Sequence, residues 1–177
     1  MFKKLLLTIM VLLPVVASAQ YLEVTPEGLK EKGTNNTYNV LDFPGKTAEE
    51  LYNASVLFVN EKFKFPEKVI KADIKDKKLR YSENTAFKVS NGGIKVTVDI
   101  TFHNELSFKD GKVKYEVVAL DMGYMKFKGG IWSSYPIWNE KNGKLRLEEE
   151  KNALEYYFNS LIKEYVDYIN KSDNDEW

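Results

Sequence analysis

The sequence contains one histidine, His103, and no cysteine. A lone histidine cannot build a histidine-rich metal site, and without cysteine no thiolate is available as a ligand or nucleophile. His103 could act as a general base beside a bound substrate. It falls, however, on the polar positions of an alternating strand, where an imidazole is ordinarily a surface group. We therefore predict no catalytic residue, no metal site and no cofactor.

Two further sets of polar residues have ordinary explanations. Ser107, Ser133 and Ser134 lack the nucleophile-elbow pattern of a hydrolase, so a serine–histidine–carboxylate triad is rejected. Glu148–Glu150 are consecutive and would point in different directions on a helix, so they cannot converge on one cation. Their place in a first helical turn suits the helix dipole, which favours negative charge there.

The aromatic segment Gly123–Trp138 is the best candidate for ligand contact. Exposed Trp and Tyr rings stack on sugars or anchor the side chains of a protein partner, and the glycines of this segment permit an open backbone. The alternative is that the rings close the core between the sheet and the last helix, which is the commoner place for large aromatic side chains. The candidate ligand- or partner-binding residues are Tyr124, Trp132, Tyr135 and Trp138.

A basic segment, Lys62–Arg80, holds eight basic residues against Glu67, Asp73 and Asp76. Such a segment could meet an anionic glycan, lipid headgroups or a protein partner. More often these lysines are solvated strand faces that protect sheet edges from aggregation, and we favour that interpretation.

A first helix is predicted after Thr47, because Thr47 and Glu50 form a capping box. Apolar residues then recur at helical spacing as far as Phe63, and Pro66 ends the pattern. Short strands are predicted around it, at Tyr38–Leu41, Val69–Ile74, Lys78–Tyr81 and Ala86–Val89.

The clearest strand signal is Ile94–Phe102, where apolar and polar residues alternate without a fault. Asp110 and Gly111 predict a hairpin turn before the return strand. Asn104 and Glu105 interrupt the outgoing strand and predict a β-bulge.

The last predicted element is a long amphipathic helix over Leu147–Asn170. The order is strand, helix, several antiparallel strands and helix. Two main helices packed on one face of an antiparallel sheet of about four to six strands make an α+β domain.

The N-terminal residues read as a cleavable secretory signal peptide. Lys3 and Lys4 precede the apolar run Leu5–Val16, and Ala17–Ala19 supplies the small residues that signal peptidase accepts, leaving Gln20 as the new N-terminus. The run is shorter than the roughly 20 residues of a membrane-spanning helix. An uncleaved anchor is the alternative, which the cleavage pattern disfavours. The expected location is therefore periplasmic or secreted.

Cleavage would remove two of the 26 basic residues and leave 24 against 26 acidic ones, a formal charge of −2. This balance argues against nucleic-acid binding, which needs a basic surface. No later segment is apolar enough to span a bilayer. The predicted organisation is a signal peptide over residues 1–19, a leader or irregular segment over 20–37, a single α+β domain over 38–171 and a polar tail over 172–177.

The capped helix TAEELY at Thr47–Tyr52 and the hairpin ITFHNELSFKDGKVKYEV at Ile100–Val117 carry a family resemblance, which is best over Tyr38–Val118. The sequence resembles the domain of unknown function 4468, a family of exported bacterial proteins described as having a TBP-like fold. The resemblance implies a curved antiparallel sheet with helices on one side and a place in the envelope. It transfers no catalytic residues, and the fold label does not imply DNA binding.

The expected function is that of a non-catalytic envelope module that binds a protein or glycan partner. The alternatives are a structural or assembly accessory protein without a small ligand and, with less support, a hydrolase. The sequence leaves the oligomeric state open.

Overall fold

The structure is a computed structural model. It describes residues 21–91, 94–122, 127–128, 131–132, 139 and 141–171 of the 177-residue chain. The predicted signal peptide over residues 1–19 and the polar tail over residues 172–177 lie outside these ranges.

A five-stranded antiparallel sheet forms the centre of the fold, as the alternating patterns predict. Its strand order is β3-β7-β6-β5-β4, and the hairpins β1–β2 and β8–β9 form separate two-stranded sheets. The α+β architecture expected from the sequence is therefore confirmed. The elements are β1 (Leu22–Thr25), β2 (Gly28–Glu31), β3 (Tyr38–Asp42), α1 (Ala48–Lys62), α2 (Pro66–Val69), β4 (Ile70–Ile74), β5 (Lys78–Asn91), β6 (Ile94–Lys109), β7 (Lys112–Met122), β8 (Phe127–Lys128), β9 (Ile131–Trp132) and α3 (Glu148–Lys171).

The first helix begins where the capping box predicts. The Thr47 hydroxyl accepts the amide of Glu50, and the Glu50 carboxylate accepts the amide of Thr47 at 2.7 Å. Asp110, in the β6–β7 turn, accepts the amide of Ala48 at 2.9 Å and ties the helix start to the sheet. Gly111 beside it adopts a positive φ of 72°, a conformation that glycine takes without steric cost.

Both long helices pack on the same face of the sheet through aromatic rings. Phe58 of α1 meets Tyr165 of α3 edge to face, with 5.5 Å between ring centroids. On the sheet side, Phe102 of β6 meets Phe158 at 5.1 Å and Tyr115 of β7 meets Tyr165 at 5.7 Å. Such pairs add about 0.5–1.5 kcal/mol each beyond the burial of their area. This face is the core of the domain.

The N-terminal region corrects one sequence prediction. The sequence predicts a leader or an irregular segment over residues 20–37, but β1 and β2 form a hairpin whose Leu22, Val24 and Leu29 are buried in the core. The side chain of Asn159 on α3 accepts the amide of Leu22 at 2.9 Å and donates to its carbonyl at 2.8 Å. Glu155 accepts the amide of Val24 at 2.9 Å. A helix side chain thus takes the place of a neighbouring strand.

Two further predictions were wrong for one reason. Asn104 and Glu105 form no bulge: they pair regularly with Val117 and Glu116, and the irregularity lies between Thr101 and His103. The predicted strands Lys78–Tyr81 and Ala86–Val89 are one strand, β5. In both places a polar residue faces the core, so it breaks the alternation of apolar and polar residues and makes the sequence look as if the strand ended or bulged there.

Candidate functional site: the open face of the sheet

The predicted aromatic site falls mostly outside the described residues. Tyr124, Tyr135 and Trp138 lie beyond them, and Trp132 is described only as a backbone position in β9, paired with Phe127. Their role in ligand contact stays a prediction.

His103 lies half-buried on the sheet face that points away from the helices, next to Ser82 on β5 and Val118 on β7. Its Nδ1 atom is buried and has no hydrogen-bond partner among the described residues. Ser107 lies on the same face, half-buried between Lys78 and Lys114. Ser133 and Ser134 lie outside the described residues.

The acidic triplet opens α3, as expected for a helix dipole. Glu148 and Glu149 are exposed, whereas Glu150 is buried. Within the described ranges, no group of three or more His, Asp or Glu residues is placed to hold a metal ion.

The core holds a polar network that sequence reasoning missed. Glu83 on β5 is buried beneath the helices, where its carboxylate lies 3.4 Å from the Lys62 ammonium of α1. Tyr157 of α3 donates to it at 3.1 Å and Asn104 of β6 at 3.3 Å. Tyr115 of β7 donates to the Asn104 carbonyl at 2.9 Å. One carboxylate therefore links α1, α3 and two neighbouring strands.

Burial of this network gives it a structural role. A buried carboxylate is tolerated only when a countercharge and hydrogen-bond donors satisfy it, and Glu83 has both. Burial raises the pKa of the Tyr115 hydroxyl well above its ordinary value, and the charge of Glu83 acts in the same direction. The pKa of the Tyr157 hydroxyl is raised by the same two causes, burial first. Neutral tyrosines with fixed hydrogen-bond partners suit a rigid core, and we assign this cluster no reaction.

The opposite face of the sheet carries a paired set of charges. Glu105 on β6 points away from the helices, because its neighbours Asn104 and Leu106 point inward and are buried. Lys78 of β5 donates to one Glu105 carboxylate oxygen at 2.6 Å, and Arg80 of the same strand contacts the other oxygen. Neither of the long helices α1 and α3 packs on this face, which we call the open face.

The basic side chains beside Glu105 favour its ionised form. Burial under its partners would raise its pKa, but the hydrogen bonds from Lys78 and Arg80 and their positive charges outweigh burial and lower the pKa. The three side chains are therefore set in place before any partner arrives. Preorganised charges of this kind contribute specificity to a contact.

A second charge group continues the open face toward the β3 edge. The Lys114 ammonium on β7 lies 2.7 Å from the Glu116 carboxylate and 4.4 Å above the ring centroid of Tyr38 on β3. Thr37 donates to Glu116 at 2.9 Å. The open face thus presents ordered charges of both signs beside an aromatic ring.

Exposed aliphatic side chains stand at both margins of this face. Val40 on β3 is 45% exposed and pairs with Lys114, so it shares the open face. Ile74 on β4 is 51% exposed and pairs with Lys78. A charged centre with apolar margins can contact a surface of mixed character.

The basic side chains of the segment Lys62–Arg80 have different partners in the structure and do not form one surface. Lys62 reaches the core network, Lys78 and Arg80 bind Glu105, and Lys75 lies 3.9 Å from Glu49. The strand β4 in this segment is an edge strand. Its exposed Lys71 next to a register shift fits the predicted protection of the edge.

Solved structures share this architecture. The crystal structure of a TBP-like protein from Parabacteroides distasonis matches with a TM-score of 0.58 at 12% identity, over 80% of this chain and 96% of that one. The chain has a TBP-like fold. A second crystal structure with this likeness is that of a DUF4468 family protein from Bacteroides ovatus, with a TM-score of 0.59 at 12% identity, over 85% of this chain and 93% of that one.

These structures confirm the resemblance predicted from the sequence, and at 12% identity they show the TBP-like fold alone. Comparison of the sequence with family models and with curated proteins gives no match. Among the described residues, none of the helices is long and apolar enough to cross a membrane.

Proposed function

We propose that this TBP-like chain is an exported, non-catalytic binding module that contacts a protein partner through the open face. The observation that carries the proposal is the ordered charge cluster of Lys78, Arg80 and Glu105 on a sheet face that neither α1 nor α3 covers. Export is supported by the N-terminal sequence pattern.

A protein partner suits the open face better than a glycan does. Sugars bind on aromatic platforms, whereas the described strands of the open face offer one tyrosine ring, Tyr38, beside a cluster of charged side chains. Paired charges of both signs complement a protein surface and reject partners of the wrong charge pattern. A glycan site would instead have to use the aromatic segment.

An assembly role through strand pairing has weaker support. The edge strand β4 has a register shift between Ile70 and Ala72 and an exposed Lys71 between them. Bulges and edge lysines oppose the addition of a further strand. The face of the sheet is therefore a better contact surface than this edge.

Crosslinking from defined positions tests the proposal. A photoreactive residue at Val40 or Asn84, both exposed on strands of the sheet, should crosslink to a discrete partner in intact cells. The same residue at exposed positions of the helical layer serves as the control. Adducts from the helical layer alone would contradict the proposal.

A further inference from the structure

The connection between α1 and α2 presents an aromatic ring to solvent. Phe65 is 49% exposed and immediately precedes Pro66, the first residue of α2. The chain on either side is held to strand β5: Phe63 meets Tyr81 at 5.9 Å between ring centroids, and the carbonyl of Val69 accepts the Ser82 hydroxyl at 3.2 Å. The ring is held outward by an anchored segment.

Two ammonium groups lie close to this ring, and a third lies at the adjacent end of α2. The Lys68 ammonium lies 4.3 Å and the Lys64 ammonium 5.4 Å from the Phe65 ring centroid. The Lys71 ammonium donates to the Lys68 carbonyl at 2.9 Å, which places it at the end of α2. Within the part of the chain that the structure describes, none of the three forms an ion pair with a carboxylate. Glu67 is the one carboxylate of residues 64–71.

We propose that this aromatic–lysine tip, Lys64, Phe65, Lys68 and Lys71, binds the surface of an anionic lipid bilayer. Lysines near a bilayer are attracted to anionic headgroups. A phenyl ring at the same level can enter the boundary between headgroups and acyl chains, while long lysine stems keep their ammonium groups at the phosphates.

The combination favours a bilayer over a soluble anion. A free phosphate or sugar phosphate would use the ammonium groups but would gain nothing from an exposed phenyl ring. A single exposed phenylalanine is common on protein surfaces, but two ammonium groups lie within 5.4 Å of the centroid of this ring. The tip shares no residue with the open face, so membrane contact and partner binding can be tested apart.

The test is sedimentation of residues 20–177, which contain every described element, with lipid vesicles. Vesicles of phosphatidylcholine with phosphatidylglycerol should bind the protein, and vesicles of phosphatidylcholine alone should not. Each lysine is expected to contribute about fivefold in affinity, so K64S/K68S/K71S should lose about two orders of magnitude. The charge-matched control K109S/K141S/K144S, which changes three exposed lysines elsewhere, should bind like the parent.

The ring is tested separately. Phe65→Ala should weaken binding to the anionic vesicles about tenfold or more, since a fully inserted phenylalanine contributes on the scale of a buried side chain. Tyr156→Ala, at an exposed ring on α3, is its control. A circular dichroism melt of each variant verifies that the fold is retained.

The absence of a cysteine gives a second readout. An environment-sensitive fluorophore on Glu67→Cys should shift to the blue with anionic vesicles, and the same label on Asn152→Cys, at an exposed position of α3, should not. The proposal is overturned if anionic vesicles do not bind, if K64S/K68S/K71S binds like its control, or if Phe65→Ala binds like the parent. Full competition by soluble glycerophosphate would assign the tip to a free anion and would also overturn it.

Discussion

The carboxylate of Glu83 lies 3.4 Å from the ammonium of Lys62, beneath the layer of helices. Lys62 belongs to the last turn of α1, and Glu83 is at an inward position of β5. The pair therefore joins the helical layer to the sheet and supplies the countercharge that the buried Glu83 carboxylate needs. The ion pair explains why β5 is one continuous strand although the charged residue Glu83 lies within it.

Removal of one partner should be costly. Lys62→Met keeps the length of the side chain but leaves the Glu83 carboxylate without its countercharge, and we expect a loss of about 3 kcal/mol in the free energy of unfolding. Urea denaturation measures this, with Lys64→Met, at an exposed neighbour, as the control. Addition of Glu83→Gln to Lys62→Met should restore part of the loss. Equal stability of Lys62→Met and the parent would refute the role of the pair.

The open face should be sensitive to acid. The lowered pKa of Glu105 means that the folded state favours its anion, so its stabilisation is complete above the ordinary value of 4.5 and is lost as the pH falls through the lowered value. Glu105→Gln should cost about 1–2 kcal/mol at neutral pH, because Lys78 and Arg80 are partly exposed and screened. It should also flatten the decline of stability below pH 4.5.

Denaturation of both proteins across the acid range measures this slope. Glu149→Gln, which changes an exposed carboxylate on α3, is the control. A parental slope retained in Glu105→Gln would show that the carboxylate is not held by its basic neighbours.

Alkaline titration should reveal the buried tyrosines. The Asp73 carboxylate, which accepts the Tyr52 hydroxyl at 2.7 Å, together with burial raises the pKa of Tyr52 to about 12. A raised pKa contributes stability that is present below the ordinary value of 10.0 and is lost as the pH rises from there to about 12. The pKa values of the Tyr81, Tyr115 and Tyr165 hydroxyls are raised mainly by burial.

Phenolate absorbance measured against pH should therefore show a late group that ionises together with unfolding. Tyr52→Phe should remove part of the loss of stability between pH 10.0 and about 12. A single ordinary transition for all 11 tyrosines, with the fold intact, would contradict these assignments.

The N-terminal hairpin should depend on one helix residue. Asn159→Ala removes the acceptor of the Tyr21 and Leu22 amides, at 2.6 Å and 2.9 Å, and the donor to the Leu22 carbonyl. We expect a loss of about 1–3 kcal/mol and faster amide hydrogen exchange in β1 and β2, with the five-stranded sheet unchanged. Asn152→Ala, at an exposed position of α3, is the control. Unchanged amide hydrogen exchange in β1 and β2 would show that the Asn159 side chain does not hold the hairpin in place.

The elements that local pattern could predict are those whose signals lie within a few residues. The capping box of Thr47 with Glu50 and the turn at Asp110–Gly111 place α1 and the β6–β7 hairpin correctly. The spacing of apolar residues similarly gives α3 to within one residue at each end.

The errors arise where a polar residue is satisfied from afar. Asn104 resembles a bulge position in the sequence, yet it lies inside because Tyr115 and Glu83 bind its amide. The hairpin β1–β2 depends on distant partners: Asn159, 137 residues further along the chain from Leu22, accepts the Leu22 amide, and Glu155 accepts that of Val24. A sequence read locally contains no trace of such partners.

The candidate site escaped prediction for a related reason. The open face depends on the β5–β6 register, which places Arg80 directly across from Glu105 and Lys78 one position further on the same face, across from Ser107. In the sequence, Lys78 and Arg80 stand out only as part of a basic segment. Only the paired register of β5 and β6 shows that these basic residues lie beside the Glu105 carboxylate.

The central claim, that the open face binds a protein partner, is tested most directly by photo-crosslinking in the producing cell. The photoreactive residue is placed at Val40 or Asn84 on the sheet, and at Leu57 of α1 or Tyr156 of α3 as controls, all of them exposed. We predict one adduct of defined mass from both sheet positions, lost when Arg80→Glu reverses the charge at the centre of the face, and none from the helices. Adducts from Leu57 or Tyr156 without any from Val40 and Asn84 would place the contact on the helical layer and contradict the claim.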